Sequence, residues 1–411
     1  MTTGAAVFTT TQNVEGRGIR WSTITITLCA LLFFTMLDGF ARFGRVPSLV
    51  WMAAYIVVFA TFIQRPAYSL NIILRAWPVF LIPALALLST FWTAAPMRTP
   101  LAATQLFMTV LIATHIARAF TTRQVMLALF LGQAAGLVIS ALNIGVGFMP
   151  AHSPINGTLI GIYGHKTALG YSAILSSFAL TAWLAYDGKE VWGIGYAILV
   201  SPMVFLSQSS TAMAGYSALA MLCALLFLRR MPSLSARRFL FGFAMIVMVG
   251  TLVMAINFTT LSATFLNAIG KNTTLTGRTV LWDMAMTTWG ENPFLGVGFG
   301  AFWQSDVYAL DVSFVHAYVD DRVDGFHNAF LESAVALGAL GIILLIAMVV
   351  IPLMRLMYAV FVYLSLDAMI WLSLLVTYIW VAMMFQDVGF KQHSGNYVLL
   401  TLSYLFAKSR A

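Results

Sequence analysis

Residues 327–352 read HNAFLESAVALGALGIILLIAMVVIP, and after Glu332 no charged residue interrupts them. A run of this length and polarity is long enough to cross a bilayer, whose hydrocarbon core takes about 20 apolar residues per helix. Comparable runs recur along the chain, near 21–40, 46–64, 76–93, 100–118, 124–147, 167–186, 190–207, 211–228, 238–257, 367–386 and 394–408. The pattern predicts an all-α integral membrane protein with about twelve transmembrane helices, built as a single polytopic domain over residues 1–411. Between the ninth and tenth spans lies the one large loop, residues 258–326. The stretch Met354–Leu366 either extends a neighbouring helix or lies along the interface.

Composition excludes the alternatives. The 411 residues are 61% hydrophobic and 9% charged, whereas soluble domains carry roughly 25% charged residues; a water-facing surface cannot be made from this chain. The net charge of +8 is scattered at helix ends, which suits a topology signal and not a nucleic-acid partner. Cys29 and Cys223 sit inside apolar runs and read as small buried residues, not as a disulfide or a metal pair. The polar start, with an apolar run beginning near Trp21 and no cleavage pattern behind it, reads as a signal anchor.

With the N-terminus inside, 14 of the 22 basic residues fall on the cytoplasmic side, Arg229 to Arg238 being the strongest anchor. The positive-inside rule then predicts cytoplasmic N- and C-termini in a bacterial inner membrane. It places the large loop outside, in the periplasm, together with His152, His165, His316, His327 and His393. A loop of about 70 residues is rarely a mere connector, and its aromatic content argues that it folds.

Four constellations carry chemistry, each beside a plainer reading. In the loop, Thr276-Gly277-Arg278 precedes Trp282 and then Asn292-Pro293-Phe294-Leu295-Gly296-Val297-Gly298-Phe299-Gly300. Residues 279–289 suit a short helix with Trp282 and Trp289 on one side, ended by Asn292-Pro293, and the alternate glycines allow tight backbone approach; the plainer reading is a structural loop resting on the bilayer. At the loop's return, His327 and Asn328 would cap the tenth span, with a titratable imidazole at the boundary. Glu332 follows one turn inside, where an acid is costly; the plainer reading is an interfacial cap with a snorkelling acid. At the outer start of the sixth span, His165 and Lys166 form a cationic pair suited to phosphate, or simply an interfacial pair. Between the seventh and eighth spans, the hydroxyls of Ser207-Gln208-Ser209-Ser210-Thr211, Ser209 among them, could bind sugar or satisfy a tight turn. Asp320-Asp321-Arg322-Val323-Asp324 has the spacing of a magnesium-binding DDxxD but lacks a second acidic cluster, so it reads as a solvated loop face. There is no zinc spacing, P-loop or GxSxG elbow, and no metal or cofactor is expected.

The order TGR…W…ENPFLGVGFGAFW…HNAFLE resembles the signature region of the O-antigen ligase and polymerase family, over about residues 274–345. The resemblance implies a metal-independent membrane glycosyltransferase that acts on undecaprenyl-diphosphate-linked glycans. It gives Arg278 the donor's diphosphate, and gives His327 either the acceptor hydroxyl to activate or assistance at the diphosphate, as the catalytic pair. Lys166 becomes a second cation, and His165, Asn328, Glu332, Trp282 and Ser209 are substrate-binding candidates. The family's ligases show a Ser-Arg pair at the turn between the seventh and eighth spans; here Ser207-Gln208-Ser209 has no arginine, while GHKTALG (164–170) resembles exopolysaccharide polymerases. The resemblance therefore points to a polymerase of lipid-linked repeat units, making exopolysaccharide or O-antigen. Transfer to lipid A core by a ligase is the second reading, and a polysaccharide transporter or flippase the third. The partners implied are the lipid-linked donor and acceptor, the bilayer, a chain-length regulator and a flippase.

Overall fold

The computed structural model describes residues 18–36, 39–154, 157–231, 233, 242, 278–319, 325–384 and 391–408. The ninth predicted span (bar Gly242), loop residues 258–277 and the acidic stretch 320–324 lie outside them. Among the described residues there are fourteen α-helices and no strand, only an isolated bridge between His152 and Leu159.

The helices are α1 (Gly18–Met36), α2 (Val46–Gln64), α3 (Pro66–Arg75), α4 (Leu81–Leu88), α5 (Thr99–Ala119), α6 (Thr122–Val146) and α7 (Lys166–Leu184). They continue as α8 (Glu190–Ser207), α9 (Ser210–Arg230), α10 (Arg278–Glu291), α11 (Ala309–Val319), α12 (Ala329–Tyr363), α13 (Leu366–Met384) and α14 (Gly395–Lys408). Local chemistry sets several boundaries. Pro47, Pro66 and Pro100 open α2, α3 and α5, where the missing N–H costs nothing. Thr121 and Gln124 form a reciprocal capping box at the start of α6, and Gly147, at φ 73°, ends it.

Helices occupy eleven of the twelve predicted runs, but among the described residues fewer of them are long and apolar enough to cross a membrane. Six helices, α2, α5, α6, α7 with its 3-10 extension, α8 and α12, are long and apolar enough to cross a membrane. A seventh arises if α3 and Trp77–Phe91, bent by 87° to each other, are one broken span. The 14 residues of α14 reach only about 21 Å at 1.5 Å per residue, short of a ~30 Å core. Of Met354–Leu366, the part up to Tyr363 extends α12, which ends when Leu364 turns to φ 51°, and Leu366 opens α13.

Around the central helix α7 stand α6, α8 and α9. Its buried Ser176, Ser177 and Thr181 return their hydroxyls to carbonyls of the preceding turn at 2.7–2.9 Å, and Ser172 donates to Gln133 Oε1 at 2.7 Å. Polar groups inside a bilayer need such internal partners, and small residues let helices close on each other. Gly193 does the latter against Thr181, where a Cβ would sit 2.5 Å from Thr181 Cα.

His393 departs from its expected external place. Its ring stacks on Trp51 with centroids 4.3 Å apart and hydrogen-bonds Tyr55, while its backbone N–H donates to Thr109 Oγ1 at 3.2 Å. Tyr55 and Thr109 lie at the middles of α2 and α5. The segment entering α14 therefore passes into the bundle before its helix begins.

Candidate active site

The described stretch 278–319 of the large loop is folded. Leu281 and Ala285 of α10, Val297, Ala301 and Phe302 of the connection, Val315 of α11, Phe326 and Val335 form a core of their own. As expected, α10 presents Trp282 and Trp289 to this core and stops before Pro293.

The loop is joined to α12 through the backbone. The sequence reading took residues 327–352 as one uninterrupted span; instead α12 is broken at Gly338, whose φ and ψ of 63° and −156° are not helical. In a regular helix, Val335 O and Ala336 O would accept from residues 339 and 340. Here they accept from Val297 N at 2.8 Å and Gly298 N at 3.0 Å, and Ala339 N donates to Pro293 O at 2.8 Å. The predicted close approach of the glycine-rich stretch is thus real, and its partner is this break. A Cβ on Gly296 would come within 2.4 Å of Val335 O. The other side of the stretch rests on the turn before α5: Ala94 N donates to Val297 O at 2.9 Å, Thr99 Oγ1 to Phe299 O at 3.0 Å, and Phe299 N to Ser89 Oγ at 3.0 Å.

This docking fixes the junction that carries His327. Both backbone groups of the preceding residue are held: Phe326 O accepts from Trp282 Nε1 at 3.0 Å, and Phe326 N donates to Glu332 Oε2 at 3.1 Å. The other oxygen of Glu332 accepts from Trp303 Nε1 at 3.2 Å. On the far side, Asn328 caps α12, its Oδ1 accepting from Phe330 N at 2.9 Å and Leu331 N at 3.2 Å. Between these clamps His327 is half-buried with φ 52°, a left-handed conformation that non-glycine residues adopt at a cost. Burial, with Glu291 and Asp311 adding to it, pushes the Tyr308 phenol above its ordinary value, so the ring stacked on Phe302 stays neutral.

Three substrate-binding candidates therefore have structural employment. Trp282 and Glu332 hold Phe326, and Asn328 holds the helix start. The sequence reading missed Trp303 as the partner of Glu332, and it missed the anchors Ser89 and Thr99. Arg278 is the first residue of α10; its side chain lies outside the described residues, as do Thr276 and Gly277.

A second cluster unites two motifs that the sequence keeps 42 residues apart. His165 caps α7, its Nδ1 accepting from Thr167 N at 3.2 Å, and Ser209 caps α9 through Ala212 N at 3.2 Å. Ser209 Oγ donates to Thr167 Oγ1 at 3.3 Å, so the starts of α7 and α9 lie side by side. Ser209 is 2% exposed, which makes it an internal cap and not an open sugar contact. Lys166 is half-buried and His165 exposed at this end. Arg42, which the sequence reading left unplaced, holds the connection that leads into α7, donating to Pro150 O at 2.6 Å and Gly161 O at 3.3 Å.

A bundle of membrane-capable helices with a folded loop locked into a broken helix, and a histidine at that junction, defines a class: a polytopic membrane protein. Comparison narrows it. Residues 195–346 match the family described as O-antigen ligase. The chain is also 30% identical over 319 residues to the "Exopolysaccharide production protein ExoQ" of Rhizobium meliloti (strain 1021), covering 74% of this chain and 70% of that protein. The chain belongs to the O-antigen ligase family.

Proposed function

We propose that the chain is a membrane glycosyltransferase that polymerises undecaprenyl-diphosphate-linked oligosaccharide repeat units at the extracytoplasmic face. The observation that carries this reading is the clamped junction: Trp282, Glu332 and Asn328 fix the backbone on both sides of His327. An imidazole held at a loop–helix boundary can take the proton of an attacking hydroxyl. A polyprenyl diphosphate leaves readily once cations meet its charge, the part given to Arg278 and Lys166. The relative named for exopolysaccharide production, matched over most of both chains, favours polymerisation. The family description favours ligation to an acceptor such as lipid A core as the second reading. Transport draws support from neither.

The deciding experiment supplies purified protein in lipid with the lipid-linked repeat unit alone. A ladder of dimers, trimers and longer glycans supports the polymerase. Transfer only after a lipid A core acceptor is added supports the ligase, and no transfer to either rejects both.

Two substitutions separate the parts. Lys166→Ala removes a half-buried cation at a helix start, so donor KM should rise about tenfold or more, the worth of a charge-assisted contact. Thermal stability should stay near wild type; unchanged donor kinetics would reject the assignment. Glu332→Ala strips the acceptors from Phe326 N and Trp303 Nε1, which costs about 1–3 kcal/mol per orphaned buried donor. It should lower kcat more than it raises donor KM, because what loosens is the position of His327. Glu332→Gln keeps one acceptor oxygen and should recover part of the loss; a variant that changes only KM would return Glu332 to substrate binding.

A further inference from the structure

Phe91 is 86% exposed and Met97 89%, both on the turn between α4 and α5. Val307, Leu310 and Phe314, on and just before α11, are 69%, 86% and 57% exposed. These are large apolar side chains, and on a water-facing domain such a set marks a contact surface. On α11, Leu310 and Phe314 are four residues apart and share one face, while Val315, fully buried, packs into the loop core. The two groups adjoin, since Ser305 Oγ donates to Ala94 O at 2.8 Å and Ala94 N to Val297 O. The turn also continues the apolar outer side of its own helices, where Leu88 and Leu101 are 53% and 58% exposed.

We propose that the ridge of Phe91, Met97, Val307, Leu310 and Phe314 is the surface by which the folded loop rests in the bilayer leaflet at that end of the bundle, with α11 as an interfacial helix. The occupant is lipid because the ridge adjoins exposed Leu88 of α4 and Leu101 of α5, and α5 is long and apolar enough to cross a membrane. Exposed Arg98, Asp306 and Asp311 neighbour Met97, Val307 and Leu310 in the chain and put polar groups at the edge of the ridge. The proposal itself does not depend on the glycosyltransferase reading.

The test uses the full chain in liposomes of phosphatidylcholine and phosphatidylglycerol. Spin labels on Leu310→Cys and Phe314→Cys, in a background lacking Cys29 and Cys223, are challenged with oxygen and with a water-soluble nickel chelate. Lipid contact predicts relaxation by oxygen several-fold stronger than by the chelate, with Gln304→Cys showing the reverse. Strong relaxation by both at 310 and 314 means water, and weak relaxation by both means a protein cover, whether residues 243–277 of this chain or a second copy. Either result overturns the proposal. Peroxide oxidation of the unsubstituted protein gives an independent reading if labelled variants do not fold. Met97 should be several-fold slower to form sulfoxide in liposomes than in a lipid-free peptide of the same sequence, and an equal rate overturns the proposal.

Discussion

Asparagine at His327 is expected to lower the rate of glycan transfer by about 10²–10⁴-fold, the usual contribution of a positioned general base, while the protein folds and inserts as before. The choice of asparagine matters. His327 sits at φ 52°, where alanine loses about 1–2 kcal/mol against its preferred conformations and asparagine tolerates the left-handed region. His327→Asn therefore removes the imidazole and keeps the backbone that Glu332 and Asn328 hold on either side. His327→Ala should show the same chemical loss with a small added fall in thermal stability. The measurement is single-turnover transfer from the lipid-linked donor, with melting temperature as the folding control. Transfer by His327→Asn at the wild-type rate would sink the assignment of His327 as base, whatever the stability data show.

The helices were legible because hydropathy is a local property: a run of apolar residues is read the same way wherever it packs. α3 was missed because it is only 10 residues long, between Arg65 and Arg75, and its burial of Ser69 and Ile72 comes from contacts that sequence does not display. The glycines of 294–300 announced a close approach, but their partner lay some 40 residues away at Gly338, inside a run whose polarity never changes. In membrane helices glycine is common, so nothing about Gly338 in the sequence separates a break from a packing groove. The same limit hid the meeting of Thr167 with Ser209 and of Arg42 with Gly161. Glu332 was legible as a costly acid one turn into a span. What satisfies it, Phe326 N and Trp303 Nε1, appears only after the loop has folded back over the helix start.

Gly338→Ala is expected to undock the loop and abolish activity together. The new Cβ would lie 2.3 Å from Phe294 C, 2.4 Å from Phe294 O and 2.5 Å from Leu295 N, all of them backbone atoms that cannot swing aside. It would also have to occupy φ 63° and ψ −156°, a region that only glycine visits without a penalty of about 1–3 kcal/mol. A cheaper state is open to the variant. Residues 335–340 can close as a regular helix, with Ala339 N returning to Val335 O, and alanine favours that by about 1 kcal/mol over glycine. Straightening the helix displaces Val297 N and Gly298 N from Val335 O and Ala336 O, and Pro293 O loses Ala339 N. The loop then gives up three backbone hydrogen bonds at once, while the spans keep theirs. Hydrogen exchange should therefore show Val297 and Gly298 losing protection while α7 stays protected, and limited proteolysis should cut within 278–319. Gly290→Ala supplies the control, since a Cβ there meets nothing within 4 Å. Retention of loop protection in Gly338→Ala would mean that the broken helix is not what holds the loop. The clamp on His327 would then have to come from Trp282, Trp303, Glu332 and Asn328 alone.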